Sequence, residues 1–113
     1  MAYDETVLEH VREFLMLSGA DIEEKKMFGS IGFMVNGKLC IGVGEHKGYS
    51  MMVRVGLDNY EKALTYTGAH STVMRDRVMK GYVSLTRDAL KTRKDVEYWA
   101  ALGLQHNASL VDS

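Results

Sequence analysis

Apolar residues near the N-terminus recur every three or four positions, which is the spacing of one face of a helix. That face consists of Val7, Leu8, Val11, Phe14 and Leu15. Asp4 has the position and side chain of a helix N-cap, and Thr6 with Glu9 has the spacing of a capping box as an alternative. Gly19 follows where a left-handed C-cap is expected. The pattern predicts an amphipathic first helix that ends before Gly19.

Two apolar runs then flank the pair Asn36-Gly37. An Asn-Gly pair in this setting predicts a β-hairpin, because both central residues of the turn need positive φ. A two-residue turn pairs Val35 with Lys38 and Phe33 with Cys40, and both faces of the hairpin are then largely apolar. Antiparallel sheets with one solvated face alternate more cleanly. We therefore expect either a bulge that shifts the register or a cover over the second face, for which a partner subunit is a candidate.

The rest of the chain continues with alternating strand and helix patterns. The predicted elements are a third strand at 50–55, a short helix opened by Asp58 and Glu61, a strand pair at 72–74 and 80–85, and a last helix capped by Thr92 and Asp95. In the third strand, Met52 shares the face of Arg54. The order helix–three strands–helix–two strands–helix predicts an α+β domain in which an antiparallel sheet packs with helices.

Composition supports one ordinary globular domain. The chain has 113 residues, of which 46% are apolar and 26% charged, so we predict a single domain over residues 1–113. A single cysteine excludes an intrachain disulfide and indicates a reducing compartment. The N-terminus is acidic, and no apolar stretch approaches the ~20 residues of a membrane span. We therefore predict a cytoplasmic protein without membrane contact.

The net charge of −1 hides an uneven distribution. Residues 75–94 hold seven basic and two acidic residues, a net charge of +5, whereas the remainder holds seven basic and 13 acidic residues, a net charge of −6. Together with Arg54, these basic residues are candidate interaction or anion-binding residues: Arg75, Arg77, Lys80, Arg87, Lys91, Arg93 and Lys94. The alternatives are a solvated surface or a patch neutralised by the acidic first helix.

Side chains with catalytic or metal-binding chemistry are few and scattered. Cys40 lies inside a predicted strand, so we expect a small buried residue rather than a nucleophile. No pair among the four histidines has metal-ligand spacing, and no catalytic triad or cofactor motif is present. We expect no catalytic, cofactor or metal site. The strand methionines, Met74 among them, are expected to pack in the core rather than to form an adaptable binding surface.

Four short motifs occur in a characteristic order along the chain. They are Lys26-Met27-Phe28-Gly29, the hairpin from Gly32 to Lys38, Met52-Val53-Arg54-Val55 and Met79-Lys80-Gly81-Tyr82-Val83. With these motifs the chain resembles the N-terminal domain of the TfoX (Sxy) competence-regulator family from about residue 5 to residue 108. The family often has a second glycine where this chain has Ser30.

The resemblance carries expectations about fold and partners. It implies an α+β fold similar to the secretion-chaperone-like class, whose members frequently dimerise. Full-length competence regulators add a helical C-terminal domain suspected of nucleic-acid contact, and this chain resembles the N-terminal domain standing alone. We therefore expect a non-enzymatic protein-interaction domain related to competence and transcription regulators, with a homodimer and a regulatory protein as partners. One alternative is a weak nucleic-acid-binding module that uses residues 75–94, and another is a small enzyme that uses Cys40.

Overall fold

The structure, a computed structural model, describes residues 4–27 and 29–111. Its elements are α1 (Glu5–Leu17), β1 (Ile22–Met27), β2 (Ser30–Val35), β3 (Lys38–His46), β4 (Tyr49–Arg54), α2 (Leu57–Leu64), β5 (Ala69–Met74), β6 (Arg77–Leu85), a 3-10 turn (Arg87–Ala89) and α3 (Arg93–Val111). The predicted α+β class is confirmed, and so is the alternation of helices with groups of strands. The first group holds four strands rather than three, because Ile22–Met27 forms a strand of its own.

The six strands form one antiparallel sheet in the order β1-β2-β3-β4-β6-β5. Asn36 and Gly37 both have positive φ, 52° and 83°, which confirms the predicted turn between β2 and β3. Val35 pairs with Lys38 as expected. The expected pairing of Phe33 with Cys40 is wrong, because β3 carries a bulge.

The bulge lies at Cys40. Phe33 pairs with Ile41, whereas its neighbour Met34 pairs with Leu39, so Cys40 is the extra residue on β3. Cys40 and Ile41 are both buried as a result. An ideal Cβ added to Gly103 of α3 would lie 3.0 Å from the Cys40 sulfur and 3.6 Å from Cγ1 of Ile41, so both side chains face that helix.

All three helices cover the same face of the sheet. One cross-strand row on that face runs through Glu24, Phe33, Ile41, Val53, Val83 and Ser71. Arg12 of α1 bonds Glu24 at 2.7 Å, and the hydroxyl of Tyr60 in α2 donates to Ser71 at 3.2 Å. Gly103 of α3 lies over the middle of the row. The domain therefore has two layers, with the core between the sheet and its helices.

Helix ends follow the predicted capping in two of three cases. The Asp4 side chain accepts hydrogen bonds from the backbone of Thr6 and Val7, so Asp4 rather than the Thr6–Glu9 pair caps α1. Thr92 and Asp95 exchange the two hydrogen bonds of a capping box at 3.1 and 3.2 Å. The second helix begins at Leu57, ahead of the predicted Asp58, with Gly56 as a cap that has no side chain.

Candidate protein-interaction surfaces

The sheet face opposite the helices, here called the open face, is formed by alternate residues of the central strands. On β2, β3 and β4 these residues are Ser30, Gly32, Met34, Leu39, Gly42, Gly44, Ser50, Met52 and Arg54. Arg54 is the one charged residue among the nine, and the Glu45 carboxylate next to Gly44 accepts a hydrogen bond from the Ser50 hydroxyl at 3.2 Å. An open face normally carries polar residues throughout. Gly32 and Ser50 are buried within the protomer, and the other seven are half-buried. Six of those seven are small or apolar, which indicates a surface suited to contact with another protein.

Glycines leave the middle of the open face without protruding side chains. Gly32 and Gly42 pair directly, and Met52 pairs with Gly42 from the other side. An ideal Cβ at Gly42 would lie 3.7 Å from the methyl carbon of Met52, so the Met52 side chain lies beside this glycine. At Gly44 such a Cβ would lie 2.2 Å from that of Ser30, so only glycine fits. The result is a shallow apolar surface that another backbone can approach closely.

Arg54 marks one end of the open face. Its guanidinium lies 5.5 Å from the ring centroid of Tyr82, which pairs with it on β6. Burial and the positive charge of Arg54 lower the pKa of His106 in α3, although Asp58 opposes the shift. Arg54 is thus held by an aromatic neighbour, and that neighbour, Tyr82, belongs to the basic stretch at 75–94.

Residues 73–78 form a two-stranded projection, here called the ribbon. β4 pairs only with residues 82–85 of β6, and the Gly81 carbonyl accepts hydrogen bonds from the backbone of Val55 and Gly56. Past that point β6 pairs only with β5, and the Arg75-Asp76 turn closes the two strands with φ values of 52° and 63°. The predicted strand pair is confirmed, although β5 begins at Ala69 and β6 at Arg77, before the predicted starts at 72 and 80.

The ribbon exposes apolar and basic side chains together. Val73 is 52% exposed, and Met74 and Val78 are each 54% exposed. The expectation that Met74 packs in the core is therefore wrong, because the ribbon extends beyond the layer of helices. Arg75 and Arg77 are also exposed, and neither forms an ion pair with a described residue.

The basic stretch does not form one patch. Arg75 and Arg77 lie at one end of β6 and Lys80 is exposed along it, whereas Arg87, Lys91, Arg93 and Lys94 follow its other end. β6 is nine residues long, and an extended strand of that length spans up to about 30 Å. The structure therefore divides the predicted site into a ribbon group and a group near the start of α3.

Carboxylates neutralise part of the group near α3. Arg87 lies 2.7 Å from Glu45 and 3.4 Å from Asp4, and these neighbours raise the pKa of its guanidinium. Arg93 lies 2.8 Å from Glu13 of α1 and 3.3 Å from Glu97. The first helix thus contributes two of these carboxylates, Asp4 at its N-cap and Glu13. This arrangement matches the alternative in which the acidic first helix neutralises the basic patch.

An open pocket of about 430 Å³ lies beside Lys94, one of the remaining cations of that group. Its lining includes Lys94, Tyr66, Tyr98 and Trp99. The Tyr98 hydroxyl donates to that of Tyr66 at 2.8 Å, and burial together with this hydrogen bond raises the pKa of Tyr98 to about 12. The Tyr98 phenol therefore stays neutral at physiological pH, and the pocket is an aromatic recess whose charged lining residues are Lys94, Asp88 and Asp95.

Cys40 is buried at 1% exposure, as predicted. Burial raises the pKa of its thiol to about 12, although Arg54 acts in the opposite direction. His70, by contrast, pairs with Ser84 on the open face and packs against the ring of Tyr49 at 5.6 Å. The sheet separates this imidazole from the thiol. Within the described ranges, no cluster of three or more His, Cys, Asp or Glu side chains could hold a metal ion.

Sequence patterns do not predict two features of these surfaces. One is the exposed apolar side chains of the ribbon, and the other is the pair of glycines, Gly32 and Gly42, on the open face. Val73 and Val78 match a core strand pattern, because only the tertiary position of the ribbon exposes them. A usable signal was present at Gly32 and Gly42, where small residues alternate with large buried ones. That alternation separates a low surface on one face from a packed core on the other.

Comparison with known proteins identifies the family. The family model described as the TfoX N-terminal domain matches residues 14–107 of this chain. No curated protein and no solved structure matches it. Among the described residues, no helix is both long and apolar enough to cross a membrane. The match covers most of the chain, and the chain therefore belongs to the TfoX N-terminal domain family, which is linked to competence regulation.

Proposed function

We propose that this chain is a non-enzymatic protein-interaction domain that forms a homodimer and takes part in regulating competence or transcription. The observation that carries the proposal is the open face, which lacks charge over nine positions except at Arg54. A two-fold axis places the same face of two chains in contact. Membership of the TfoX N-terminal domain family supports the regulatory setting.

The size of the face sets the expected affinity. The full sheet of six strands, about 4.8 Å apart and about 20 Å long, covers about 500 Å² per protomer, which is an upper limit for the open face of the three central strands. Two such faces bury at most about 1,000 Å², which is below the usual range of about 1,200–2,000 Å² for stable complexes. We therefore expect a reversible dimer with a dissociation constant in the micromolar range.

Static light scattering between about 1 and 100 μM protein tests the dimer directly. We expect the mean mass to rise from one to two chains across this range. Met52→Glu places a charge at the centre of the face, so this variant should remain a monomer throughout. The matched control is Met16→Glu, because Met16 lies on α1 with 70% exposure and receives the same chemical change.

Two outcomes would refute the dimer on the open face. One is a monomeric wild-type chain at the highest concentration. The other is a dimer that Met52→Glu leaves intact. A Met16→Glu variant that loses the dimer while Met52→Glu keeps it would move the interface to the helix side.

The nucleic-acid alternative has less support. Arg87 and Arg93 are engaged by carboxylates, and Asp76 stands between the two arginines of the ribbon. Phosphate binding depends on several free cations acting together. The enzyme alternative that uses Cys40 also has less support, because its thiol is buried and its pKa is raised.

A further inference from the structure

The two edge strands of the sheet differ in charge. β1 has the sequence Ile-Glu-Glu-Lys-Lys-Met, with four charged side chains in six residues. β5 has the sequence Ala-His-Ser-Thr-Val-Met, with no Asp, Glu, Lys or Arg. Exposed edges usually carry charges or proline, because their unpaired N–H and C=O groups recruit other strands. β1 is therefore an edge protected by charge, whereas β5 carries no charge and only a register shift between Ser71 and Val73 makes its pairing with β6 irregular.

The outer backbone of β5 is available for pairing. Met74 and Arg77 flank a two-residue turn and pair with each other, so the N–H and C=O of Val73 point away from β6. At the other end, Thr86 N–H donates to the Gly68 carbonyl, and the same alternation turns the groups of Ser71 outward. β5 is the last strand on this side of the sheet among the described residues.

Side chains near this edge indicate what it would bind. Val73, Met74 and Val78 offer exposed apolar surface, and Leu57 is 70% exposed at the start of α2, whose backbone lies beside Gly81. Arg75 and Arg77 add two cations that pair with no described carboxylate. Met and Arg are enriched in protein interfaces, and Arg favours carboxylate partners.

We propose that the β5 edge binds an extended segment of a partner protein as a seventh strand. Alternate side chains of that segment are apolar and rest on Val73, and a carboxylate at its end meets Arg75 and Arg77. Backbone hydrogen bonds to Ser71 and Val73 supply the affinity, and the side chains supply the specificity. The inference rests on the proposed function as an interaction domain, and it names a second surface that the open-face dimer leaves free.

An acidic peptide segment fits this edge better than nucleic acid or a second copy. Three of the six ribbon residues are apolar, and Asp76 would face any phosphate bound by its neighbours. A second copy would bring its own uncharged β5, which offers no carboxylate to the two arginines. The charge of the ribbon therefore favours a different chain with acidic side chains.

Selection of displayed random peptides of about twelve residues on the immobilised wild-type domain provides the probe. We expect enriched sequences that alternate apolar and other residues and end in Asp or Glu. One such peptide, made synthetically, is then titrated by calorimetry. Val73→Pro removes an outward N–H at a position where an edge strand tolerates proline, and it should weaken binding about tenfold or more.

Charge variants keep the test independent of any folding defect caused by proline. Arg77→Glu lies at the exposed end of the ribbon and should also weaken the peptide about tenfold. The matched control is Lys91→Glu, the same charge reversal beyond the far end of β6, which should leave the affinity unchanged. Met52→Glu, which disrupts the open face, should bind the peptide with wild-type affinity. The test of peptide binding at the β5 edge is therefore independent of whether the chain dimerises through the open face.

Four results would overturn the proposal. The selection yields no enriched sequence, or the peptide binds equally to wild type, Val73→Pro and Arg77→Glu. Alternatively, Val73→Pro converts the wild-type dimer to a monomer, which makes β5 a contact between copies of this chain. Finally, a DNA duplex of about 20 base pairs binds wild type but not Arg77→Glu, with affinity that falls steeply with salt, which makes the ligand nucleic acid.

Discussion

Cys40 determines how closely the last helix approaches the sheet. As the bulge residue of β3 it turns toward α3 together with Ile41, so two successive side chains lie under one helix. Gly103 stands above them and leaves room for both. A regular strand would have sent one of the two side chains to the open face instead. One extra residue therefore shapes both the core and the low surface on the other side.

The thiol of Cys40 should react slowly in the folded protein. Burial raises its pKa from 9.0 to about 12, so the reactive thiolate is about a thousandfold rarer than at the ordinary pKa. We expect a thiol-selective reagent at pH 8 to label native protein at least about a hundredfold more slowly than protein unfolded in denaturant.

Labelling followed by mass spectrometry measures both rates on the same sample. Because the chain has a single cysteine, each label reports Cys40 alone. Equal rates in native and denatured protein would show that the thiol is accessible and would revive the alternative in which it acts as a nucleophile.

At the scale of elements, sequence patterns predict the strands that have a buried apolar face, but they do not predict β1, which has none. β1 places Glu23, Glu24, Lys25 and Lys26 in succession, so apolar alternation is absent. Pairing with β2, rather than burial, makes this segment a strand. The pattern also predicted two apolar hairpin faces. It left open whether a bulge or a cover resolves them, because a bulge depends on packing against a helix that is distant in sequence.

Close packing of α3 on the bulge predicts a large effect of a small change. Gly103→Val should lower the free energy of unfolding by about 1–3 kcal/mol, because its Cβ would lie 3.0 Å from Cys40 and Val53. Valine has a higher helix propensity than glycine, so a loss of stability must come from packing. Urea denaturation followed by circular dichroism measures it.

The control for that change lies on the same helix. Ala101 is exposed, and Ala101→Val should cost about 0.6 kcal/mol from helix propensity alone. A Gly103→Val variant as stable as wild type would show that α3 does not pack on the bulge as described.

At the scale of the whole molecule, charge and exposure follow from how the layers are arranged. Residues 75–94 are one basic stretch in sequence, but β6 carries its two halves apart. Among the described residues, carboxylates pair with the half near α3 and not with the ribbon arginines. Sequence alone shows the excess of +5 but not this division. The same holds for the ribbon, whose exposed valines are recognisable only once β4 is seen to stop pairing at Arg54.

The arrangement of the methionines allows self-association through the open face to be tested without any substitution. Met34 and Met52 lie on that face, Met51 lies in the core, and Met16 is exposed on α1. Methyl NMR of methionine-labelled protein, recorded from about 10 μM to about 1 mM, reports each site separately. We predict that the Met34 and Met52 signals shift with concentration while those of Met16 and Met51 stay constant. Constant Met34 and Met52 signals over the whole range would show that the open face does not mediate self-association.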